Sequence, residues 1–429
     1  MDMKPRNADL RRLFRTEYSA EEIADVRQLL LDAGALSFPA LPNGLFSAAS
    51  VTQAEAHTGY SAVWVRDNVH VANTLLANGE QARAAATVLS LADHFHRQAS
   101  RMDAIIADPS RASHPPNRPH VKFNGHPVGE IPDWPHDQND ALGYFLWIFS
   151  QMARLGAIAM SADHASTLAR FPHYLQAIRF WADNDSGHWE EARKNEASSV
   201  GAVCAGLREL NALLDSDQGA GLRDRIPAEL VASLLEAGLT RLNEILPHES
   251  VQDAPRGRRY DAALLFLVWP LEIVDREMAD RIVTDICGNL QGEHGIRRYL
   301  GDSFWCANYR AKMSAQDRTR DFSSDLSGRD SMLEPGLEAQ WSLFDPIVSV
   351  VYGKWYRASG DAQWLRLQTE YFNRSLAQIT ADLKCPELWH WEAGPDGVPL
   401  LETSEATPLL WTQANLWMAL NEMEQSAKR

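Results

Sequence analysis

Four stretches of this 429-residue chain crowd carboxylates, arginines and tryptophans into short spans. The first, Gly59 to Asn68, reads GYSAVWVRDN and sets Tyr60 and Trp64 ahead of the adjacent pair Arg66 and Asp67. The second, Asp133 to Phe145, carries Trp134 and Asp140. The third, Asp185 to Gly201, places Glu190 and Glu191 directly after Trp189. The fourth, Cys385 to Gly394, sets Glu387 after Pro386 and adds Trp389, Trp391 and Glu392. Taken singly, the first three admit a plain reading as a salt-bridged or acidic helix start or cap, where a carboxylate meets the positive end of the helix, and the fourth a reading as loop packing. Together they suit work on a polyhydroxylated ring. Indole faces stack on ring C–H groups while the N–H binds a hydroxyl. An Arg–Asp pair offers charged partners for further hydroxyls. Cleavage of a glycosidic bond takes two carboxyl groups, one protonated and one ionised. A Glu beside Trp189 and a Glu of the fourth stretch can fill those places, with Glu392 the rival of Glu387.

Something must bring these four stretches together, and the hydrophobic pattern says helices. Apolar residues recur at i, i+3 and i+4 over 21–33, 66–78, 80–100, 136–155, 165–184, 196–214, 227–245, 260–271, 277–289, 338–358, 361–381 and 408–426. Ser19 and Ser161 stand where N-caps belong, and Gly219 and Gly360 mark stops or turns. Strand-like alternation is nearly absent. Short connections make consecutive helices antiparallel neighbours, and twelve of them suggest an all-α closed double ring of six inner and six outer helices. Segment 260–271 is apolar almost all round, as an inner helix would be. Two connections are long, 101–135 and 290–337, and loops of that length carry function or are disordered.

Composition narrows the function classes. The net charge of −16 argues against nucleic acid and against an anionic membrane surface. No apolar run reaches the ~20 residues of a membrane span, and the charged N-terminus has no signal-like apolar core. The expected location is therefore cytoplasmic. Cys204, Cys287, Cys306 and Cys385 form no CxxC pair and read as small core residues, with no metal site. No cofactor is expected. The fourteen tryptophans are many for this length, and several lie in polar segments.

At this level of detail the chain resembles glycoside hydrolase family 15, the glucoamylase family, and is similar to the related N-terminal domains of phosphorylase kinase α and β subunits. The motifs that carry the resemblance run in order across roughly 44–426. Trp64-Val65-Arg66-Asp67 resembles the family's W-x-R-D, with Tyr60 at the place of its active-site Tyr. Trp134 and Asp140 resemble its W-x5-D, Trp189-Glu190-Glu191 its W-E-E, and Gly295 to Tyr299, with Arg298, its arginine loop. TPLLWTQANL resembles its closing helix.

The resemblance implies a single (α/α)6 barrel over 44–429, preceded by an N-terminal helical extension over 1–43. It implies an inverting, exo-acting α-glucosidase. Glu190 would be the general acid, Glu387 the base, and Tyr60 would orient the attacking water. Trp64, Arg66, Asp67, Trp134, Asp140, Trp189, Glu191 and Arg298 would bind substrate, with Glu191 read as a sugar ligand or a structural acceptor. The expected substrate is a short oligosaccharide or small glucoside, of isomaltose or maltose type. A competing reading is a regulatory domain of the kinase-subunit kind, which binds sugar without turnover. A third, an (α/α)6 epimerase or trehalase, would call on His70, His126, His136 or His188 and would leave W-E-E unexplained.

Overall fold

The computed structural model describes residues 4–50 and 58–429. Six helices form an inner ring: Val65–Ala77, Asn139–Arg154, Ala197–Asp215, the single turn Leu265–Val268, Phe344–Ser359 and Leu410–Ala427. Each packs on the next, and the last packs on the first. An outer layer surrounds them. Gln81–Arg97, Ala162–Ile178, Ala228–Ile245, Arg276–Asn289 and Ala362–Ala377 each follow an inner helix in the chain. The sixth outer place goes to Ala20–Asp32, which packs against Leu410–Ala427 and buries Ile23, Val26 and Leu30. That helix lies in the segment set apart from sequence as an extension, yet it shares the ring's hydrophobic core.

Burial sorts the two layers. Asn139–Arg154 is buried almost all round, because it sits between ring neighbours and an outer partner. Phe145 on it meets Phe171 of Ala162–Ile178 with ring centroids 5.3 Å apart. The crossing of Asn139–Arg154 with Ala197–Asp215 is so close that only glycine fits. A Cβ on Gly143 would stand 2.4 Å from the Ala202 carbonyl carbon. The outer helices carry ordinary start signals. Ser19 forms a capping box with Glu22, and Ser161 forms one with His164.

Three expectations change. The helix expected over 260–271 shrinks to a 3-10 turn, Ala262–Leu264, and one α turn. Pro270 is the reason: the residue before a proline is driven to extended backbone, and Trp269 has φ −153° and ψ 134°. The expected helix over 80–100 ends at Arg97 and restarts as Ala99–Ala107. Strands are also present. Val63–Trp64, Lys122–Gly125 and Val128–Glu130 make one small antiparallel sheet, and Gln340–Trp341, Leu388–Ala393 and Pro399–Thr403 make another. The first sheet sits inside the long connection 101–135 and ties it to Trp64. The second does the same for the segment after Glu387, at the same end of the ring.

Candidate active site

The N-terminal ends of the inner helices converge on one cavity of about 800 Å³, mouth included. Trp64, Arg66 and Asp67 line it from the start of Val65–Ala77, Glu190 from the loop before Ala197–Asp215, and Trp411 from the start of Leu410–Ala427. Tyr60, Trp134, Trp189, Arg298 and Glu387 also line it. Residues spread over more than three hundred positions of sequence therefore share one space.

Glu190 sits on a strained turn. Its φ is +58°, a left-handed conformation that costs a non-glycine residue about 1–3 kcal/mol. Gly187 opens the same turn with φ +55°, and a Cβ there would collide with Oε2 of Glu196 at 1.5 Å. Neighbouring bonds hold the turn in place. The Glu191 N–H donates to the Ser186 carbonyl at 3.2 Å, and the Trp189 indole donates to Oδ1 of Asp261 at 2.8 Å. Oε1 of Glu190 accepts from Nε1 of Trp64 at 2.8 Å and from Nη2 of Arg66 at 3.3 Å. Both bonds use one oxygen.

Glu387 is buried at the opposite anchor. Its Oε1 accepts from the Tyr60 hydroxyl at 2.6 Å and its Oε2 from Ser404 at 2.9 Å. Burial pushes its pKa up to about 7, although the two hydroxyl donors favour the ionised form. Tyr60 and Trp64 lie against each other in between, tilted by 37° with centroids 5.6 Å apart. The two carboxyl groups are thus hung on two neighbouring aromatic side chains. Asp67, nearby, is likewise raised to about 7, first by burial and then by the charge of Glu190, with Arg66 pulling the other way. Glu392 takes no part in the lining; its Oε1 accepts from the Arg310 N–H at 2.9 Å.

Two residues expected at the substrate stand behind the wall instead. Asp140 is fully buried, and its Oδ2 accepts from Nη1 of Arg66 at 2.6 Å. It aims Arg66 rather than lining the cavity. Glu191 is 1% exposed and collects Arg298 at 3.1 Å, Arg329 at 2.6 Å and the Tyr299 hydroxyl at 2.6 Å. Burial alone would raise its pKa, but Arg298, Arg329, Arg258 and Lys194 hold it well below the usual carboxylate range. Of its two earlier readings, this geometry is that of a structural acceptor. Arg298 does line the cavity, but Nε and Nη2 are bound to Asp302, both at 2.6 Å, and among the described residues Nη1 is its nitrogen without a hydrogen-bond partner.

The structure adds residues that the sequence reading did not single out. Lys122 lines the cavity with its Nζ 3.2 Å from the ring centroid of Trp134 and 4.1 Å from that of Trp64. Phe304, Trp341, Arg329 and the loop Thr319–Phe322 complete the wall. Nothing local in the sequence marks Lys122. Its place follows from a strand register that pairs Lys122 with Trp64.

The family model for "Glycosyl hydrolases family 15" matches residues 32–425. The chain belongs to that family. Solved structures share the ring. A glycosidase variant in complex with glucose superposes with a TM-score of 0.65 at 20% identity, covering 95% of this chain and 99% of that one. The glucoamylase from Saccharomycopsis fibuligera gives 0.61 at 13% identity, covering 96% and 97%. The six inner and six outer helices are accordingly the (α/α)6 toroid of these proteins. By sequence, the chain is 24% identical over 394 residues to a probable phosphorylase b kinase regulatory subunit α of Caenorhabditis elegans, covering 82% of this chain but 30% of that subunit. It is 29% identical over 201 residues to the uncharacterized lipoprotein YgeQ of Escherichia coli K12, covering 42% of this chain and 76% of that protein. The chain thus spans less than a third of the kinase subunit's length. Among the described residues, no helix is long and apolar enough to cross a membrane.

Proposed function

We propose that this family 15 glycoside hydrolase is an inverting, exo-acting α-glucosidase that releases β-glucose from the non-reducing end of a short α-glucoside. The observation that carries the reading is the pair Glu190 and Glu387 on one cavity, each tied to its own aromatic anchor. Glu190 is the general acid. Among the described residues nothing donates to its Oε2, which can hand a proton to the glycosidic oxygen. Glu387 is the base. Two hydroxyl donors steady its ionised form while lone pairs remain for a water. Separate anchors favour the wider carboxyl spacing, about 6.5–9.5 Å, that leaves room for that water. Arg66 and Asp67, both buried where they line the cavity, take the hydroxyls of the terminal glucose, and a cavity closed behind them would reject internal segments of a chain.

The test is a panel of maltose- and isomaltose-type substrates followed by NMR. β-Glucose is expected first, and Glu387→Ala is expected to be inactive. Initial α-glucose would overturn the mechanism, and an active Glu387→Ala variant would overturn the residue. A second reading draws on the kinase-subunit match, which reaches 82% of the chain: a regulatory domain that binds sugar without cleaving it. Saturable glucose binding with no turnover on any member of the panel would select it.

A further inference from the structure

Lys122 is 4% exposed and lines the cavity, and among the described residues its Nζ has no hydrogen-bond acceptor and no ion-pair partner. A buried ammonium without an anion is expensive, and such groups are nearly always paired. Lys122 has only the faces of Trp134 and Trp64, which attract a cation without replacing an acceptor. Burial pulls its pKa down to about 7, while the charges of Glu190 and Asp321 act to hold the proton on. Neither carboxylate comes within ion-pair distance of it.

The other cations of the cavity are committed. Arg66 is held by Asp140, Arg298 by Asp302 and Glu191, and Arg329 by Glu191 and Ser303. Arg320 leans on Asp317 at 3.3 Å, and its side chain is 58% exposed, which places it at the mouth. Arg66 bonds Glu190 directly, whereas Lys122 lies over the face of the Trp64 ring whose N–H holds Glu190, and it feels the charges of both Glu190 and the exposed Asp321. With the terminal sugar on Arg66 and Asp67, the leaving group is expected on this Lys122 side of Glu190.

We propose that the leaving-group side of this cavity is built for an aglycone bearing a carboxylate, which pairs with Lys122 between Trp134 and Trp64. The proposal rests on the hydrolase reading for its placement of the leaving group. Carboxylate is favoured over phosphate because phosphate sites gather several N–H donors, often at a helix N-terminus. Here one point charge stands between two indoles.

The probes are the α-glucosides of glycerol, of glyceric acid and of glycerol phosphate, which share one linkage chemistry and differ in charge. Binding is measured by calorimetry at pH 6 on the full chain carrying Glu190→Gln. The glyceric acid glucoside is expected to bind at least ~10-fold more tightly than the glycerol glucoside, which corresponds to about 1.4 kcal/mol. That preference is expected to vanish in Glu190→Gln/Lys122→Met and to persist in Glu190→Gln/Lys122→Arg, which guards against loss of fold. Equal affinities, or no binding of either, would overturn the proposal, and a preference for the phosphate ester would reassign the site to that anion. Turnover is read separately on the unsubstituted protein. Hydrolysis without charge preference would sink the carboxylate site alone. Charge preference without hydrolysis would sink the hydrolase reading and with it the aglycone assignment, while the Lys122 carboxylate site would stand.

Discussion

Replacing Tyr60 by Phe removes one of the two hydroxyls that donate to Glu387, at 2.6 Å, and changes little else in volume. A hydrogen bond to a charged group is worth about 1.5–3 kcal/mol, and 1.36 kcal/mol is one pKa unit. The Glu387 carboxyl, already raised to about 7 by burial, should therefore climb by roughly 1–2 units. The sign of the effect follows from the role. A general base must be ionised, so kcat/KM rises with pH through the pKa of the free enzyme. In the unsubstituted protein that rise should centre near pH 7. In Tyr60→Phe it should move upward by about 1–2 units, cutting kcat/KM at pH 6 by roughly 10–100-fold while the gap narrows at high pH. The assay is a pH series of initial rates on a neutral α-glucoside, which keeps substrate ionisation out of the profile. An acidic limb that stays in place while the rate drops equally at every pH would refute this reasoning. It would show that Tyr60 acts on the water and not on the Glu387 proton.

Glu190→Gln is expected to lose about 10²–10⁴ in rate while still binding glucose, since an amide has no labile proton to give; full activity would remove Glu190 from the mechanism. Glu191→Gln strips the shared partner from Arg298 and Arg329 and should destabilise the fold by about 3–5 kcal/mol, read from urea unfolding. Because its folded pKa is depressed, Glu191 contributes stability that is complete above the ordinary carboxylate pKa of about 4.3 and drains as pH falls below it. The acid limb of the stability curve should accordingly be shallower in Glu191→Gln, and an unchanged limb would contradict the pairing. Gly143→Val should be among the most damaging substitutions in the ring, because the Ala202 backbone leaves no room for a side chain; a soluble, fully stable variant would disprove that close crossing.

Much of the ring was legible in the chain, because inner and outer helices obey one period and differ only in how much of each helix is apolar. Ser19 and Ser161 announced their helices through the side chains that now cap them. The motif residues were legible as a set because they sit at inner-helix starts or in the loops leading to them, and the ring gathers those segments on one face. Other features depend on distance in space. The outer place of Ala20–Asp32 follows from closure of the ring, which no local pattern encodes. The apolar run before Pro270 has the composition of a buried helix, and only the proline limits it to one turn. The hairpin after Glu387 begins with the six residues Leu388–Ala393, too short an alternation to separate from a loop rich in tryptophan. Asp140 and Glu191 have the right types for binding sugar, and burial alone reveals that they serve Arg66 and Arg298.

The meeting of Ala20–Asp32 with Leu410–Ala427 has a consequence for how this chain is made. Arg27 donates to Asn421 at 2.8 Å and to Glu424 at 2.9 Å, joining residues almost four hundred positions apart. Until Leu410–Ala427 has emerged from the ribosome, the first large helix lacks its ring partner, which leaves the faces of Ile23, Val26 and Leu30 incompletely covered. Such nascent surface is where chaperones bind and where aggregation starts. Contacts of this sequence separation also form late, since the long loop must close before they give any return. The ring thus completes its assembly only once Leu410–Ala427 has been made, with that helix as its keystone. A chain stopped before Leu410 should be captured by chaperones or proteolysed, even though the residues of the first three motifs would already be present.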